Sequence, residues 1–255
     1  MGFIELMLDS ETLQLTMDVS LVIPGWEHHR THKYKVVWLY HGGYGDHLDW
    51  VNHTNAVRLA EERGIILVMP GVHNSCYVDM ANGPAYGTWV GVELPRLLRK
   101  MFTVFSEDRE DNYVCGFSNG GYGCLKIGLT YSETFGHIGA FAAGDQEDNP
   151  FPDDGGDWSR NRIAMFGTGE IQGTEYSLKH CARKLLQEER TLPQVYHACG
   201  RFDPWHDKNQ LVRHFFQKIE GNPFGYHYRE YEDMGHTYAF IDRALQDFLE
   251  FHQIG

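Results

Sequence analysis

The sequence predicts an α/β fold in which a mostly parallel central sheet carries helices on both faces. Three observations predict it: short apolar runs typical of strands buried on both faces, amphipathic helical segments, and a regular alternation of the two along all 255 residues. Right-handed crossovers would then place the carboxyl ends of the parallel strands at one edge of the sheet, where ligands bind in such folds.

Length and composition limit the number of domains that the chain can form and the kinds of partner that it can bind. A chain of 255 residues with 42% hydrophobic content can bury one sizeable core, so we expect a single domain over residues 1–255. The formal net charge of -13 disfavours nucleic acids and anionic membrane surfaces, which are recognised first through positive patches. The sequence therefore predicts no nucleic acid and no membrane as partners, and it leaves homo-oligomer formation open.

The cellular compartment is predicted from targeting patterns and from the cysteines. No apolar run approaches the roughly 18 residues of a membrane span, and the first residues lack the basic and then apolar layout of a signal peptide. The five cysteines are an odd number, and Cys115, Cys124 and Cys199 lie in apolar segments, which is typical of reduced core residues. We therefore expect a cytoplasmic protein.

The first half of the chain alternates predicted strands and helices. Apolar and polar residues alternate over residues 12–23, as in a half-buried strand, and residues 35–40 form a short apolar run typical of a fully buried one. Residues 55–63 have one apolar helical face and end before Gly64, a helix stop signal. The remaining segments here are a strand at 65–69, a long loop at 72–89 and an amphipathic helix at 92–102 with Pro95 in its first turn.

A strand predicted at 113–117 leads directly into a Gly-x-Ser-x-Gly pattern at residues 116–120 and then into a helix predicted at 122–131. This order is that of a nucleophile elbow, in which a serine lies in a strained turn between strand and helix. The glycines leave room for the turn and for the close approach of strand and helix. Because the short pattern also arises by chance, Ser118 is a candidate nucleophile only if the chain also supplies a base, an acid and an oxyanion hole.

The second half of the chain continues the same alternation. Residues 144–162 carry Asp, Asn, Pro and Gly with little periodicity, and we interpret them as a small insertion over the edge of the sheet. The other predicted segments are strands at 138–142, 194–199 and 226–231, helices at 176–189 and 207–219, and a last helix that follows Gly235 and His236 and runs through His252.

A base and an acid follow two of these strands. A serine hydroxyl at its ordinary pKa is a poor nucleophile at pH 7 and needs a histidine base that a carboxylate orients. Ser118, Asp203 and His236 each follow a predicted strand, in the chain order found in α/β hydrolases. Asp203 is favoured as the acid because it lies immediately beyond the strand that follows the 176–189 helix. The competing carboxylates are those of Asp145, Asp207 and Asp233.

An oxyanion hole needs two backbone N–H groups aimed where negative charge develops. One is predicted at Asn119, the residue after the candidate nucleophile. The other is predicted in the loop after the strand at 35–40, where Gly42 and Gly43 allow close backbone approach. We favour Gly43, with Tyr44 as the alternative.

Several stretches spread over nearly the whole chain carry a family resemblance: residues 41–50, 74–79, 93–96, 116–123, 199–203 and 235–236. In them the chain resembles the esterase D and tributyrin esterase branch of the α/β hydrolases, which includes feruloyl and acetyl esterases. The resemblance implies the α/β-hydrolase fold, with Ser118 as nucleophile, His236 as base and Asp203 as orienting acid. It also implies a small-molecule ester as substrate and no cofactor.

Aromatic residues near the predicted site are candidates for its substrate pocket. Tyr44, Tyr77, Trp89 and Trp205 are these candidates, and packing in the core is the alternative for the last three. S-formylglutathione hydrolases of this branch carry a cysteine in the oxyanion loop, whereas residues 41–46 contain none. That activity is therefore less favoured.

Together these inferences predict a serine carboxylic ester hydrolase that acts on short-chain acyl or hydroxycinnamoyl esters through an acyl-enzyme intermediate. The alternatives are an acyltransferase on the same triad, an S-formylglutathione hydrolase-like thioesterase and, outside the enzymes, a binding module that has lost catalysis. No metal is expected, because the tight cluster of His28, His29 and His32 has no cysteine or carboxylate at ligand spacing.

Overall fold

The computed structural model describes residues 1–25, 33–149 and 156–254, and in these ranges eight strands form a sheet with the order β1-β2-β4-β3-β5-β6-β7-β8. The pairs β1/β2 and β2/β4 are antiparallel and the remaining neighbours are parallel, which confirms the predicted mostly parallel sheet. The strands are β1 (Gly2–Ser10), β2 (Leu15–Ile23), β3 (Val36–Tyr40), β4 (Ile66–Pro70), β5 (Asn112–Phe117), β6 (His137–Phe141), β7 (Gln194–Gly200) and β8 (His227–Tyr231).

Helices connect the strands and pack on both faces of the sheet. None of those in the described ranges combines the length and the apolar character needed to cross a membrane. The helices are α1 (Asp49–His53), α2 (Ala56–Arg63), α3 (Tyr86–Thr88), α4 (Leu94–Met101), α5 (Asn119–Thr130), α6 (Asp157–Phe166), α7 (Leu178–Gln187), α8 (His206–Gln217) and α9 (Tyr238–Phe251).

The sheet separates two hydrophobic layers, and its central strands are buried on both faces. Successive side chains of a strand point to opposite faces, so β3 contributes to both layers. Val36 and Trp38 pack in one layer, and Val37 and Leu39 pack in the other. This two-sided burial explains why the central strands are continuous apolar runs in the sequence.

Strand β1 is a difference from the sequence prediction, which began its first strand at residue 12. The structure has a hairpin of β1 and β2 at the edge of the sheet. Ile4, Leu6 and Leu8 pack against the core, but Phe3 and Met7 on the opposite face are exposed. Apolar residues on both faces remove the period of two that reveals an amphipathic strand.

The predicted helix at 92–102 is two elements in the structure. A π-helical turn, Trp89–Glu93, precedes α4 and continues into it without a break. The carboxylate of Glu93, in this turn, is buried and accepts hydrogen bonds from Ser10 Oγ at 2.7 Å, Glu11 N at 2.8 Å and Thr12 N at 3.1 Å. The π-helical turn therefore fastens the β1–β2 connection to the body of the protein.

Replacing Glu93 with glutamine is expected to lower the free energy of unfolding by about 1 to 3 kcal/mol at pH 7, because the charged acceptor of these hydrogen bonds is lost. Burial alone would raise the pKa of Glu93, but the hydrogen bonds from Ser10, Thr12 and Glu11 outweigh it and hold the pKa below its ordinary value of 4.5. The stabilisation is therefore complete above pH 4.5 and is lost as the pH falls through the folded pKa.

Urea unfolding at pH 7 and at pH 4 measures this difference. The exposed Glu232→Gln is the matched control, and its stability should equal that of the wild type at both pH values. Equal stability of wild type and Glu93→Gln at pH 7 would show that the buried carboxylate does not stabilise the hairpin.

Candidate active site

The carboxyl edge of the sheet gathers the residues singled out in the sequence. Ser118 directly follows β5, Asp203 lies three residues beyond the end of β7, and His236 lies in the loop between β8 and α9. The loop that contains Gly42 and Gly43 follows β3, the neighbour of β5 in the sheet. The topology thus brings four separate segments of the chain to one place.

Ser118 lies in the strained turn that a nucleophile elbow requires. Its backbone has φ 57° and ψ -116°, in the left-handed range of φ that few residues other than glycine adopt. The turn is tight: a Cβ atom on Gly116 would lie 2.1 Å from the carbonyl oxygen of Gly120, and one on Gly120 would lie 2.3 Å from that of Tyr40. Both glycines are therefore needed for strand β5 and helix α5 to meet at Ser118.

Asp203 and His236 form a hydrogen-bonded pair. His236 Nδ1 lies 2.7 Å from Asp203 Oδ2, and the backbone N–H of Trp205 donates to Asp203 Oδ1 at 2.8 Å. The carboxylate side chain is fully buried, whereas the imidazole is 19% exposed. Because a carboxylate accepts the Nδ1 proton, Nε2 of the neutral ring is left as an acceptor.

Two aromatic rings hold the imidazole of His236 in place. The ring centroid of Phe117 lies 4.4 Å from that of His236, and the centroid of Trp205 lies 4.8 Å away at an interplanar angle of 67°. His236 and Ser118 line the same cavity, and within the described ranges no hydrogen bond joins them. Such bonds often form only when substrate binds.

Two backbone segments approach each other beside Ser118. Asn119 is the first residue of α5, so its N–H has no partner within the helix and lies at the positive end of the helix dipole. A Cβ atom on Gly43 would lie 2.9 Å from Asn119 Nδ2, so the β3 loop runs directly against this helix start. The N–H of Tyr44 donates to Asn74 Oδ1 at 2.7 Å, which favours Gly43 over Tyr44 as a donor to a ligand.

A cavity of about 470 Å³ opens over Ser118 and His236. Tyr44 and Trp205 line it, in the positions predicted for pocket residues. Tyr77 and Trp89 do not line it: both are buried, and Tyr77 stacks on Tyr40 with ring centroids 4.2 Å apart. The side chains that form most of its wall are those of Tyr122, Gln146, Asn149, Trp158, Arg162, Met165, Phe166 and Lys208.

A smaller cavity of about 150 Å³ also contacts Ser118 and His236. Gly42, Phe117 and Tyr238 are among the residues that line it. Ser118 therefore contacts two cavities of unequal size.

The family of the chain follows from its match to a family model. The model described as "Putative esterase" matches residues 10–249. The chain belongs to this esterase family. The match covers most of the chain, and it confirms both the predicted resemblance and the predicted enzyme class.

Two relatives of the esterase have different names. The acetyl esterase of Caldicellulosiruptor saccharolyticus is 28% identical over 225 residues, which cover 85% of this chain and 82% of that protein. The S-formylglutathione hydrolase of Paracoccus denitrificans (strain Pd 1222) is 25% identical over 246 residues, which cover 86% of this chain and 82% of that protein.

Solved structures show the same fold as the esterase. The substrate-bound fluorophosphonate-binding serine hydrolase F of Staphylococcus aureus has a TM-score of 0.89 and 24% identity over 98% of both chains. A ferulic acid esterase has a TM-score of 0.78 and 21% identity over 100% of this chain and 98% of that chain. The predicted α/β-hydrolase fold is confirmed.

Part of the cavity wall of the esterase comes from the sequence-predicted insertion at 144–162, of which residues 150–155 lie outside the described residues. The structure has helix α6 there, and Trp158, Met165 and Phe166 of this helix face the cavity. A stop signal for α6 was present in the sequence, since the helix ends at Gly167. The segment therefore contributes apolar surface to the cavity as well as polar groups.

The buried side chain of Arg162 fastens helix α6 to the turn at Gln146–Asp148. Arg162 Nη1 donates to Gln146 Oε1 at 2.7 Å, and Nη2 donates to the carbonyl oxygens of Gln146 at 3.0 Å and Asn149 at 2.7 Å. Nothing in the sequence pattern indicated this contact, which depends on the tertiary fold.

The competing carboxylates do not contact His236, although Asp145 is among the residues that line the cavity. Asp207 and Asp233 are exposed, and Asp145 accepts backbone hydrogen bonds from Leu178 and Lys179, both at 3.1 Å, at the start of α7. Burial raises the pKa of Asp145 to about 6. Asp145 is therefore engaged at a helix start, and Asp203 is the carboxylate in contact with His236.

Sequence reasoning missed the contacts that support the loop predicted to form part of an oxyanion hole. His41 Nδ1 donates to the Gly42 carbonyl oxygen at 2.8 Å, and His41 Nε2 accepts from Val72 N at 3.1 Å. The hydroxyl of Tyr77 donates to the His41 carbonyl oxygen at 3.1 Å. Tyr77 thus stabilises the loop through a hydrogen bond and does not line the cavity.

The histidines 28, 29 and 32, which were considered as a metal site in the sequence, lie outside the described residues.

Proposed function

We propose that this esterase is a serine carboxylic ester hydrolase in which Ser118 is the nucleophile, His236 the base and Asp203 the orienting acid. The observation that carries the proposal is the 2.7 Å contact between His236 Nδ1 and the buried Asp203, in a cavity that also contains the strained Ser118. A base that is oriented by a buried carboxylate and lies near a serine hydroxyl is the arrangement that activates serine.

The reaction proceeds in two halves. The Oγ of Ser118 attacks the ester carbonyl carbon while Nε2 of His236 takes the hydroxyl proton, and the backbone N–H groups of Asn119 and Gly43 donate to the oxyanion. When the tetrahedral intermediate collapses, the C–O bond to the alcohol breaks and His236 gives its proton to the departing oxygen. Water then repeats these steps on the acyl-enzyme and releases the acid.

The two cavities support an ester with unequal halves. The cavity of about 470 Å³ has aromatic walls and accommodates a bulky group, whereas the cavity of about 150 Å³ accommodates a small one. Short acyl esters and hydroxycinnamoyl esters both meet this requirement. The acyl half is the small one in the first class and the large one in the second. The acetyl esterase relative supports the first. Residues 41–46 contain no cysteine, which disfavours an S-formylglutathione hydrolase-like thioesterase.

Hydrolysis of p-nitrophenyl acetate, p-nitrophenyl butyrate and methyl ferulate by the purified protein tests the proposal, together with labelling by a fluorophosphonate. We expect turnover of at least one ester and stoichiometric labelling, because only an activated serine reacts with the probe. If the protein shows no turnover of any of these esters and no labelling, the proposal is overturned in favour of a binding module. Product analysis with added acceptor alcohols separates a hydrolase from an acyltransferase.

Replacing Trp158 with alanine is expected to raise KM about tenfold for the esters with a bulky half, because roughly 1 to 2 kcal/mol of apolar contact with the larger cavity is lost. Trp158 lines that cavity and is 42% exposed. The change should be smallest for the smallest ester of the series. Ile163→Ala, on the same helix but not among the residues that line the cavity, is the control and should leave KM unchanged.

The cytoplasmic location is likewise proposed. All five cysteines are buried and unpaired, which supports a reducing compartment. Homo-oligomer formation stays a prediction.

A further inference from the structure

A second large cavity lies against helix α4, away from Ser118. Its volume is about 430 Å³, and Arg96, Arg99 and Lys100 line one wall while Tyr131 and Thr134 line another. We propose that this α4 cavity binds the phosphate group of a small molecule, with the guanidinium of Arg99 as its principal ligand.

The guanidinium of Arg99 has an unused hydrogen-bonding edge. Its Nε and Nη2 atoms are buried, and neither has a hydrogen-bond partner in the described ranges of the chain. These two nitrogens form one side of the planar fork that binds two oxygens of a carboxylate or phosphate. Burial lowers the pKa of Arg99, and the carboxylate of Glu107 offsets only part of this effect. A bound oxyanion would supply acceptors for these two nitrogens and additional negative charge beside the guanidinium.

The charges around the α4 cavity favour an anion. Arg96, Arg99 and Lys100 form no ion pair within the parts of the chain that the structure describes. The carboxylate of Glu107 also lines the cavity, but its Oε1 lies 2.5 Å from Lys33 Nζ and is neutralised there. The cavity lining thus carries three cationic side chains and one carboxylate that is already paired. The whole chain has a net charge of -13, so this local excess of positive charge is specific to the cavity.

The cavity is built on rigid elements, and one of them is unusual. Gly91 and Val92 of its lining belong to the π-helical turn Trp89–Glu93. Such turns are rare in proteins, and those that occur are frequently found at functional sites. A Cβ atom on Gly91 would lie 2.3 Å from the ring of Tyr131, so the two walls are in direct contact. Glu93 holds the same turn from the other side through its three hydrogen bonds.

The α4 cavity is separate from the candidate active site. Tyr131 follows the last residue of α5, and Ser118 precedes the first. The 12 residues of this helix span about 18 Å at 1.5 Å per residue. A ligand of the α4 cavity therefore does not occupy the ester site, and the proposal does not depend on the triad.

A phosphate group fits the charge, and the volume indicates a larger ligand than the free ion. A phosphate monoester carries close to two negative charges at pH 7, which matches the excess of cations over free carboxylates. A cavity of about 430 Å³ leaves room for an organic part attached to the phosphate. Glucose 6-phosphate and inorganic phosphate are the two probes that separate these sources.

Thermal unfolding with increasing probe concentration, at ionic strength held constant with sodium chloride, tests the proposal. We expect a saturable rise in Tm of about 3 °C or more for wild type, larger with glucose 6-phosphate than with inorganic phosphate at equal concentration. In Arg99→Gln the apparent Kd should rise at least about tenfold. A rise with inorganic phosphate alone would assign the site to the free ion and overturn the phosphate-ester part of the proposal.

Arg58→Gln is the matched control, because Arg58 is an exposed arginine on another helix that pairs with Glu62. It should respond to the probes as wild type does, and both variants should hydrolyse p-nitrophenyl acetate at the wild-type rate without probe. If Arg99→Gln does not fold, Arg96→Gln and phosphorus NMR titration of wild type provide the same comparison. No saturable response of wild type, or an equal response of Arg99→Gln, would overturn the proposal.

Discussion

Replacing Ser118 with alanine is expected to lower kcat/KM for p-nitrophenyl acetate by at least about 10⁴-fold, since a hydrolase of this type without its nucleophile retains only binding and oxyanion stabilisation. The fold should persist. Alanine has the same steric limits as serine at φ 57°, and Ser118 Oγ donates no hydrogen bond to the described core. Steady-state kinetics measure the loss, and circular dichroism and Tm check the fold.

Ser132→Ala is the matched control for this substitution. Ser132 is a fully buried serine whose Oγ has no hydrogen-bond partner in the described ranges. Its replacement should leave activity unchanged and should not affect labelling by a fluorophosphonate, whereas Ser118→Ala should abolish labelling. Retention of more than a tenth of the activity by Ser118→Ala would assign the nucleophile to another residue.

The elements that position the residues of the proposed triad could be predicted because their signals are local. Strand β5 is an apolar run that ends at a glycine-rich turn, and β7 and β8 end at similar signals before Asp203 and His236. The parallel sheet then dictates which edge their carboxyl ends share. Chain order and topology were enough to predict that Asp203 lies near His236, whereas the distance between them could be obtained only from the structure.

The cavity could not be predicted in the same way, because its wall depends on contacts between distant segments. Arg162 ties α6 to the turn before it through backbone carbonyls, and no periodicity reveals such a contact. Tyr77 and Trp89 lie in or beside a long loop, where an aromatic residue packs in the core or lines a pocket according to the tertiary fold. Pocket residues were therefore the least predictable part of the site.

Edge strand β1 was missed for a related reason. An edge strand is paired on one side and half exposed, so its sequence carries the period-two signal only when its outward side chains are polar. Here Met7 is 79% exposed on the outward face. The pairing with β2 compensates through backbone hydrogen bonds, which the side-chain pattern does not record.

Replacing Asp203 with asparagine is expected to lower kcat by about 10⁴-fold with little change in KM, because the histidine would be held in the wrong tautomer. Asp203 Oδ1 accepts the N–H of Trp205 at 2.8 Å, so an asparagine oxygen would keep that position and its NH₂ group would face His236. Nδ1 of His236 would then accept a hydrogen bond, and the ring proton would move to Nε2. In that state Nε2 has no lone pair for the proton of Ser118.

Asp207→Asn separates this tautomer effect from a general loss of negative charge. Asp207 lies four residues along the chain, and its side chain is fully exposed, so its replacement removes the same charge without touching His236. It should retain wild-type kcat. Stopped-flow measurement of the acylation step should show that Asp203→Asn is slowed there, because Ser118 must lose its proton before the acyl-enzyme forms. If kcat of Asp203→Asn falls less than tenfold, Asp203 does not set the tautomer, and the orienting carboxylate must be sought elsewhere.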